Sequence, residues 1–286
     1  MFSRMVLAIG TAALATVAAG CGGGDASARD DRVVAAFYPL AYAAERVGSG
    51  ISITNLTPPG AEPHDLELTA GDVGAIRDAK LVLYLGNGFQ AGLEKAVADR
   101  DGASLDLLAD QELLRAAGEH ELDPHVWLDP IRFAQMAREI AGALGDESAA
   151  DELVSELEQL DAELEQGLAT CTRRQLVTSH AAFGYLADRY DLEQIPLAGL
   201  SPETEPSAKD LAALADDVEK EGATTVFFET LVSPKLAETV AREAGAKTAV
   251  LNPIEGLTGD QLADGEDYFS VMRENLAVLR EALGCT

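Results

Sequence analysis

The sequence predicts an α/β protein with two lobes, each built on a small parallel-rich sheet with flanking helices. Short apolar runs rich in β-branched residues alternate with helical patterns in both halves of the chain. One amphipathic pattern separates the halves, and a length of 286 residues exceeds what one compact core usually needs. We therefore expect two α/β lobes joined by one long, rigid helix.

The first lobe is expected over residues 32–145. Its predicted strands are RVVAAF at 32–37, ISITNL at 51–56, KLVLYL at 80–85 and ASLDLL at 103–108. Helical patterns lie between these runs, and an alternation of strands with helices is typical of a parallel sheet.

The linking helix is predicted over residues 146–170, with Asp146 as its N-cap. About 24 helical residues at ~1.5 Å each would span ~36 Å, enough to run along both lobes. Acidic residues occupy one face, and the opposite face could pack on the lobes or form a coiled-coil seam. That apolar stripe consists of five leucines at spacings of four and three: Leu153, Leu157, Leu160, Leu164 and Leu168.

The second lobe is expected over residues 171–286. Its predicted strands are RQLVTS at 174–179, QIPLAG at 194–199, TTVFFE at 224–229 and KTAVLN at 247–252. The rhythm of strands and helices is the same as in the first lobe, but the sequences are too dissimilar to indicate an internal repeat.

The N-terminus is predicted to be a lipoprotein signal peptide over residues 1–20. Arg4 precedes the apolar run Met5–Ala19, which is too short to cross a bilayer comfortably. The stretch AAGC resembles the lipobox of bacterial lipoproteins and predicts lipidation of Cys21, followed by a flexible, Gly-rich tether over residues 21–31. We expect a protein anchored to the outer face of the cell membrane, with a periplasmic protein as the alternative.

The three cysteines divide into one anchor and one pair. If Cys21 carries lipid, Cys171 and Cys285 remain in an oxidising compartment, where a structural disulfide is expected. No CxxC spacing is present, so a zinc site made of cysteines is not expected.

The formal net charge of −28 limits the possible partners. Such a field repels nucleic acid and anionic lipid headgroups, and it raises the local concentration of cations. Solubility alone would also account for the charge. We expect no nucleic-acid partner.

Three of the four histidines follow the carboxyl ends of predicted strands. His64 follows the second strand, His125 follows the fourth, and His180 ends the first strand of the second lobe. Ligands bind at that edge of parallel α/β sheets, and two such edges across a hinge form a cleft. We therefore expect the three imidazoles to meet in a cleft between the lobes.

Five motifs resemble those of the zinc and manganese solute-binding lipoproteins of ABC importers, the cluster A-I family, and are most similar to its zinc-uptake branch. These motifs are GAEPHDLEL, DPHVWLDP, VTSHAAFGYLADRY, GLSPETEPS and DYFSVMRENLAVL, within a resemblance that begins near residue 32. The resemblance implies an extracytoplasmic protein that binds Zn²⁺ with high affinity and delivers it to a membrane permease and its ATPase. It also implies a monomer that is not an enzyme.

The resemblance implies His64, His125 and His180 as metal ligands, together with a carboxylate from LNPIEG. We expect Glu255 to be that ligand, with water or Glu62 as alternatives.

Zinc is the expected cargo, and a manganese-binding member of the family is the alternative. Manganese-selective relatives place an aspartate where this chain has Asn252. A neutral amide there removes one hard, charged oxygen of the kind that manganese favours.

The residues around His125 have expected supporting roles. Asp129 precedes a proline and is expected to cap the next helix. Asp123, Asp65 or a backbone carbonyl is expected to orient a ligating imidazole. Trp127 is expected to pack in the core.

His120 is expected to be a solvated loop residue or an auxiliary capture site. Several zinc-binding members carry a long histidine-rich loop here, whereas LLRAAGEHELDPH is short, so a large zinc reservoir is not expected.

Enzymatic motifs fail on spacing. His120 and His125 are five residues apart and Pro124 breaks the helix that would align them, unlike HExxH. The glycines of YLGNGFQAG lack the spacing of a dinucleotide fingerprint.

A zinc-dependent surface adhesin remains a second alternative, because lipid-anchored relatives sometimes carry that label.

Overall fold

The structure is a computed structural model that describes residues 32–116, 121–202 and 208–286. The predicted signal peptide, the lipidation site Cys21, the tether and His120 lie outside these described residues. Within the described ranges, no helix is both long and apolar enough to cross a membrane.

The first sheet has four parallel strands: β1 (Arg32–Ala35), β2 (Ser52–Asn55), β3 (Leu81–Tyr84) and β4 (Ala103–Asp106). Their order across the sheet is β2-β1-β3-β4. Consecutive buried residues in the interior strands β1 and β3 are typical of a sheet that is covered on both faces. Each strand lies inside the run that the sequence predicted.

The second sheet repeats this topology with β5 (Gln175–Thr178), β6 (Glu193–Pro196), β7 (Thr225–Phe228) and β8 (Lys247–Val250). Its order is β6-β5-β7-β8, so β5 takes the place of β1. The two sheets therefore share a topology that their sequences do not reveal.

Local sequence sets several helix ends. Thr69, Thr258 and Asp267 form capping boxes. Gly145 and Gly284 end helices in the left-handed region, with φ of 94° and 67°. The helices are α1 (Tyr38–Val47), α2 (Ala70–Asp78), α3 (Ala91–Ala98), α4 (Pro130–Leu144), α5 (Asp151–Leu168), α6 (Gly184–Arg189), α7 (Ala208–Lys220), α8 (Lys235–Glu243), α9 (Gly259–Ala263) and α10 (Tyr268–Leu283).

The helix between the sheets, α5, is shorter than predicted. Asp146 does cap a turn, but that turn is a 3-10 helix over Glu147–Ala150, and the α-helix begins only at Asp151. Its 18 residues span ~27 Å. The five leucines of the stripe are buried, and α5 packs against α4 and α10. The stripe is therefore used inside the chain, while the lobe boundaries on either side of the helix remain a prediction.

Buried apolar side chains form two clusters of unequal size. The larger combines the first sheet with α4, α5, much of α10 and part of the second sheet, including Leu176 and Phe227. The smaller lies between the second sheet, α7 and α8. Cys171, before β5, and Cys285, after α10, are joined by a disulfide, the pairing that the sequence predicted.

Candidate metal centre

The four predicted metal-binding side chains meet between the two sheets. Oε1 of Glu255 lies 3.4 Å from Nε2 of His64 and 3.2 Å from Nε2 of His125. Nε2 of His180 lies 3.3 Å from the same oxygen and 3.4 Å from Nε2 of His125. The edges of a tetrahedron with ligands about 2.0–2.1 Å from its centre measure about 3.3–3.4 Å. Four of the six distances between the donor atoms therefore match the edges of a small tetrahedral site.

His64 lies on a short 3-10 turn, Pro63–Asp65, that follows β2. Oε1 of Glu62 caps this turn by accepting from the backbone N–H of His64 at 3.2 Å, and Pro63 supplies a suitable φ at the first position. Nε2 of Gln90 donates to the carbonyl of Pro63 at 3.0 Å. The turn is thus held through its backbone, while the imidazole remains 9% exposed.

His125 is oriented by Asp123, one of the groups predicted for this role. Oδ1 of Asp123 lies 2.7 Å from Nδ1 of His125 and accepts from its backbone N–H at 2.9 Å. With Nδ1–H donated to the carboxylate, the lone pair of Nε2 is free for a cation. Trp127 is fully buried beside this ring, as predicted, and donates from Nε1 to the carbonyl of Pro253 at 2.8 Å. Asp129 caps α4, also as predicted.

His180 is oriented by Glu229, which the sequence analysis missed. Oε1 of Glu229 lies 2.6 Å from Nδ1 of His180 and also accepts from Oγ of Ser179. Strands β5 and β7 are neighbours, so the residues that follow them lie side by side. The available signal was an acidic residue at the end of a predicted strand, the same signal that marked the histidines.

Glu255 is directed into the site by a tight turn after β8. Oδ1 of Asn252 accepts from the backbone N–H of Ile254 at 2.8 Å, and Asn275 bonds both backbone groups of Asn252. Ile254 has φ of 57°, a left-handed conformation that a β-branched residue rarely adopts. These contacts hold the unusual backbone that places the carboxylate beside three imidazoles.

Burial and neighbouring carboxylates shift the pKa of the imidazoles in opposite directions. Burial lowers the pKa of His64. Burial acts the same way on His180 and His125, but carboxylates raise the pKa of both rings above the ordinary value: Glu229 and Glu255 for His180, and Asp123 and Glu255 for His125. Burial would raise the pKa of Glu255, yet His180 and the hydrogen bonds from the other rings hold it well below its usual range. The site therefore concentrates negative charge that a divalent cation can balance.

Two other candidates have different roles from those considered. Asp65 is exposed on the turn, and of the groups considered for orienting a histidine it is Asp123 that contacts an imidazole, that of His125. One oxygen of Glu62 is used in capping, and burial together with the charge of Glu255 raises its pKa to about 9.

A cleft of about 510 Å³ opens beside His64. Its lining includes Asn87, Phe89, Pro124 and Ser201. The ring of Phe89 stands edge-on to the imidazole of His64, with centroids 4.6 Å apart. The cleft connects the otherwise buried group of donors with solvent.

The sequence matches the family described as zinc-uptake complex component A, periplasmic (ZnuA), over residues 33–282. It is 34% identical over 275 residues to the zinc-binding lipoprotein AdcA of Streptococcus pneumoniae strain R6, covering 87% of this chain and 55% of that protein. The chain thus spans about half the length of the streptococcal curated relatives that it matches.

Two solved structures share the fold. The Zn(II)-bound ZnuA-like domain of Streptococcus pneumoniae AdcA has a TM-score of 0.74 at 34% identity, over 88% of this chain and 98% of that one. The laminin binding protein Lmb of Streptococcus agalactiae, described as a bifunctional protein with adhesin and metal transporting activity, has a TM-score of 0.80 at 31% identity, over 88% and 99%.

Proposed function

Because this chain belongs to the family of zinc-uptake complex component A, we propose that it is the high-affinity, extracytoplasmic zinc-binding component of an ABC importer. The observation that carries the proposal is the group of three imidazoles and one carboxylate, whose donor atoms all lie within 4.8 Å of one another. The bound ion would pass to a membrane permease that is driven by its ATPase.

The proposed ligands are Nε2 of His64, His125 and His180 and one oxygen of Glu255. Imidazole nitrogen is a preferred zinc ligand, and the interatomic distances support a tetrahedron. Four protein ligands leave no open position for an activated water. The arrangement favours binding and release, and we expect no hydrolysis of ester or peptide substrates.

Zinc is favoured over manganese because the site offers little hard oxygen. Manganese prefers oxygen ligands, and Oδ1 of Asn252 is neutral and already bonded to the backbone of Ile254. Only Glu255 supplies a charged oxygen to the proposed ligand set.

Export and lipid anchoring through Cys21 are part of the same proposal. The relative from Streptococcus pneumoniae is named a lipoprotein, and the family is described as periplasmic. Replacing Cys21 with alanine should release the protein from the membrane fraction, and unchanged partitioning would contradict the anchor.

Metal analysis of protein purified without added metal tests the function. We expect one zinc ion per chain, and competition calorimetry should place zinc well ahead of manganese. Alanine at His64, His125 or His180, or glutamine at Glu255, should weaken binding more than alanine at His120.

The opposite results have separate meanings. A preference for manganese would support the manganese-binding alternative. Unchanged zinc affinity in Glu255→Gln would assign the fourth position to water. Absence of metal binding would contradict the proposal.

A second candidate function, adhesion, rests on the similarity to Lmb. A deletion strain that added zinc restores fully would favour uptake alone. An adhesion defect that persists in zinc-replete medium would favour an adhesin role.

A further inference from the structure

Asp123 stands between His125 and the start of α6, in the other half of the chain. Its Oδ1 contacts Nδ1 and the backbone N–H of His125, while Oδ2 faces Gly184, the first residue of α6. A methyl group built on the Cα of Gly184 would lie 2.5 Å from Oδ2. This is far inside a van der Waals contact of about 3.5 Å. Only a residue without a β-carbon leaves this carboxylate its present position.

The carboxylate of Asp123 has little freedom to move aside. The residue is 2% exposed, and rotation of its carboxylate would carry Oδ1 away from Nδ1 of His125. Its backbone N–H donates to the carbonyl of Leu114 at 2.9 Å. A side chain at position 184 would therefore act on the imidazole through Asp123.

Tyr185, the next residue of α6, holds the backbone at the same place. Its hydroxyl donates to the carbonyl of Asp123 at 2.8 Å and accepts from the backbone N–H of Leu114 at 2.9 Å. The hydroxyl thus joins the segment that carries Asp123 to the segment that carries Leu114, and Tyr185 is 1% exposed.

We propose that Gly184 and Tyr185 are positioning residues that set the metal-facing nitrogen of His125 through Asp123. The segment from His180 to Tyr185 then has two tasks: it supplies one ligand directly and orients a ligand of the other half. Groups that orient a ligating histidine typically change metal affinity about 10- to 100-fold when they are replaced. This inference rests on the proposed zinc function.

Gly184→Ala tests the inference, with Gly259→Ala as a matched control. Gly259 is also the first residue of a short helix, α9, and a methyl group there would meet nothing within 4 Å. Zinc affinity is measured by competition, ligand geometry by the visible absorption of the Co²⁺ form, and folding by thermal unfolding of the metal-free protein. We expect Gly184→Ala to bind zinc at least about tenfold more weakly and to alter the Co²⁺ spectrum, whereas Gly259→Ala matches the parent.

A double-mutant cycle separates positioning from a general structural effect. In an Asp123→Ala background the methyl group at position 184 has no carboxylate to displace, so Gly184→Ala should cost less than about threefold in affinity. An equal loss in both backgrounds, or parental affinity in Gly184→Ala, would overturn the inference. If Gly184→Ala does not fold, Tyr185→Phe keeps the ring and takes its place, and parental affinity in that variant has the same meaning. A parent protein without zinc affinity would instead contradict the proposed function.

Discussion

The two sheets share one strand order but supply the metal site from different strands. In the first sheet, His64 and His125 follow the edge strands β2 and β4, whereas in the second sheet His180 follows the interior strand β5 and Glu255 follows the edge strand β8. The repeated topology therefore places the donors beyond the carboxyl ends of the strands in both sheets. It does not decide which strand end carries a donor.

The two sheets also differ in how they are supported. Both sheets contribute to the larger apolar cluster, the second through Leu176 and Phe227. Among the described residues, the second sheet also has a separate, smaller cluster, and a disulfide between Cys171 and Cys285 lies at its margins. The donors do not divide in the same way: His125, His180 and Glu255 are at most 1% exposed, while His64 is 9% exposed. The two halves therefore differ in local packing, whereas exposure distinguishes His64 from the other three donors.

Removal of the disulfide should have the largest effect, a loss of unfolding free energy that is concentrated in the second sheet. Cys171→Ser with Cys285→Ser opens a connection that spans 114 residues, which should cost about 4–5 kcal/mol of unfolding free energy on the chain-entropy model. Denaturant unfolding measures the loss, and hydrogen exchange should show it mainly in β5 to β8. Equal loss of protection in β1 to β4 would mean that the sheets unfold together.

Truncation of a buried and of an accessible proposed ligand should have unequal effects on zinc affinity. Structural zinc sites bind with about 10–16 kcal/mol over four ligands, so His180→Ala should weaken binding on the order of 100-fold or more. It also leaves the carboxylate of Glu229 buried without its imidazole. His64→Ala should lose less, because water can reach that position through the cleft. Equal losses in competition titrations would remove the distinction between the donors.

Neutralising Glu229 should have a smaller effect, because it acts through His180. Glu229→Gln removes the charge that holds Nδ1–H, and we expect about 10- to 100-fold weaker zinc binding. Glu221→Gln, at an exposed position, serves as the control. Parental affinity in Glu229→Gln would show that packing alone orients the ring.

The pH dependence of zinc affinity should show the smallest effect. It distinguishes His180, whose pKa is raised, from His64, whose pKa is lowered. The pKa of His180 is raised above 6.5, so its charged form stabilises the metal-free protein fully below that value, and this contribution disappears as pH rises through the folded pKa. Zinc must displace that proton, so affinity should rise by up to about tenfold per pH unit over the same window. The pKa of His64 is lowered, so this ring should release no proton there.

Calorimetry in buffers of different ionisation enthalpy counts the released protons. Above pH 6.5, release should persist in His64→Ala and decrease in Glu229→Gln, because the latter loses a charge that raises the pKa of His180. A loss of release in His64→Ala would reverse the assignment.

Much of the local structure could be predicted from the sequence. The eight strands of the described residues lie within or beside the predicted β-branched runs, and Asp129 caps α4 as its place before Pro130 indicated. Patterns of this kind depend on neighbours a few residues away. The 3-10 helix at the start of the linking helix could not be foreseen. Nothing in the residues of Glu147–Ala150 distinguishes a 3-10 turn from the first turn of an α-helix.

Glu229 shows why part of the site could not be predicted. It is one of 49 acidic residues, and its place at the end of a predicted strand does not by itself separate it from a solvated surface acid. Its role depends on β5 and β7 being neighbours in the sheet, although β6 lies between them in the chain.

The sequence by itself determined which residue types follow the strand ends and hence which side chains were candidates for a metal, because periodicity, caps and motifs are local properties. Only the tertiary structure decided that donor atoms of His64, His125, His180 and Glu255 meet within 4.8 Å of one another. It also decided that Gly184 makes room for Asp123. These distances join residues far apart in the chain. They are set by the packing of two sheets and the helices between them, so no single segment of the sequence determines them.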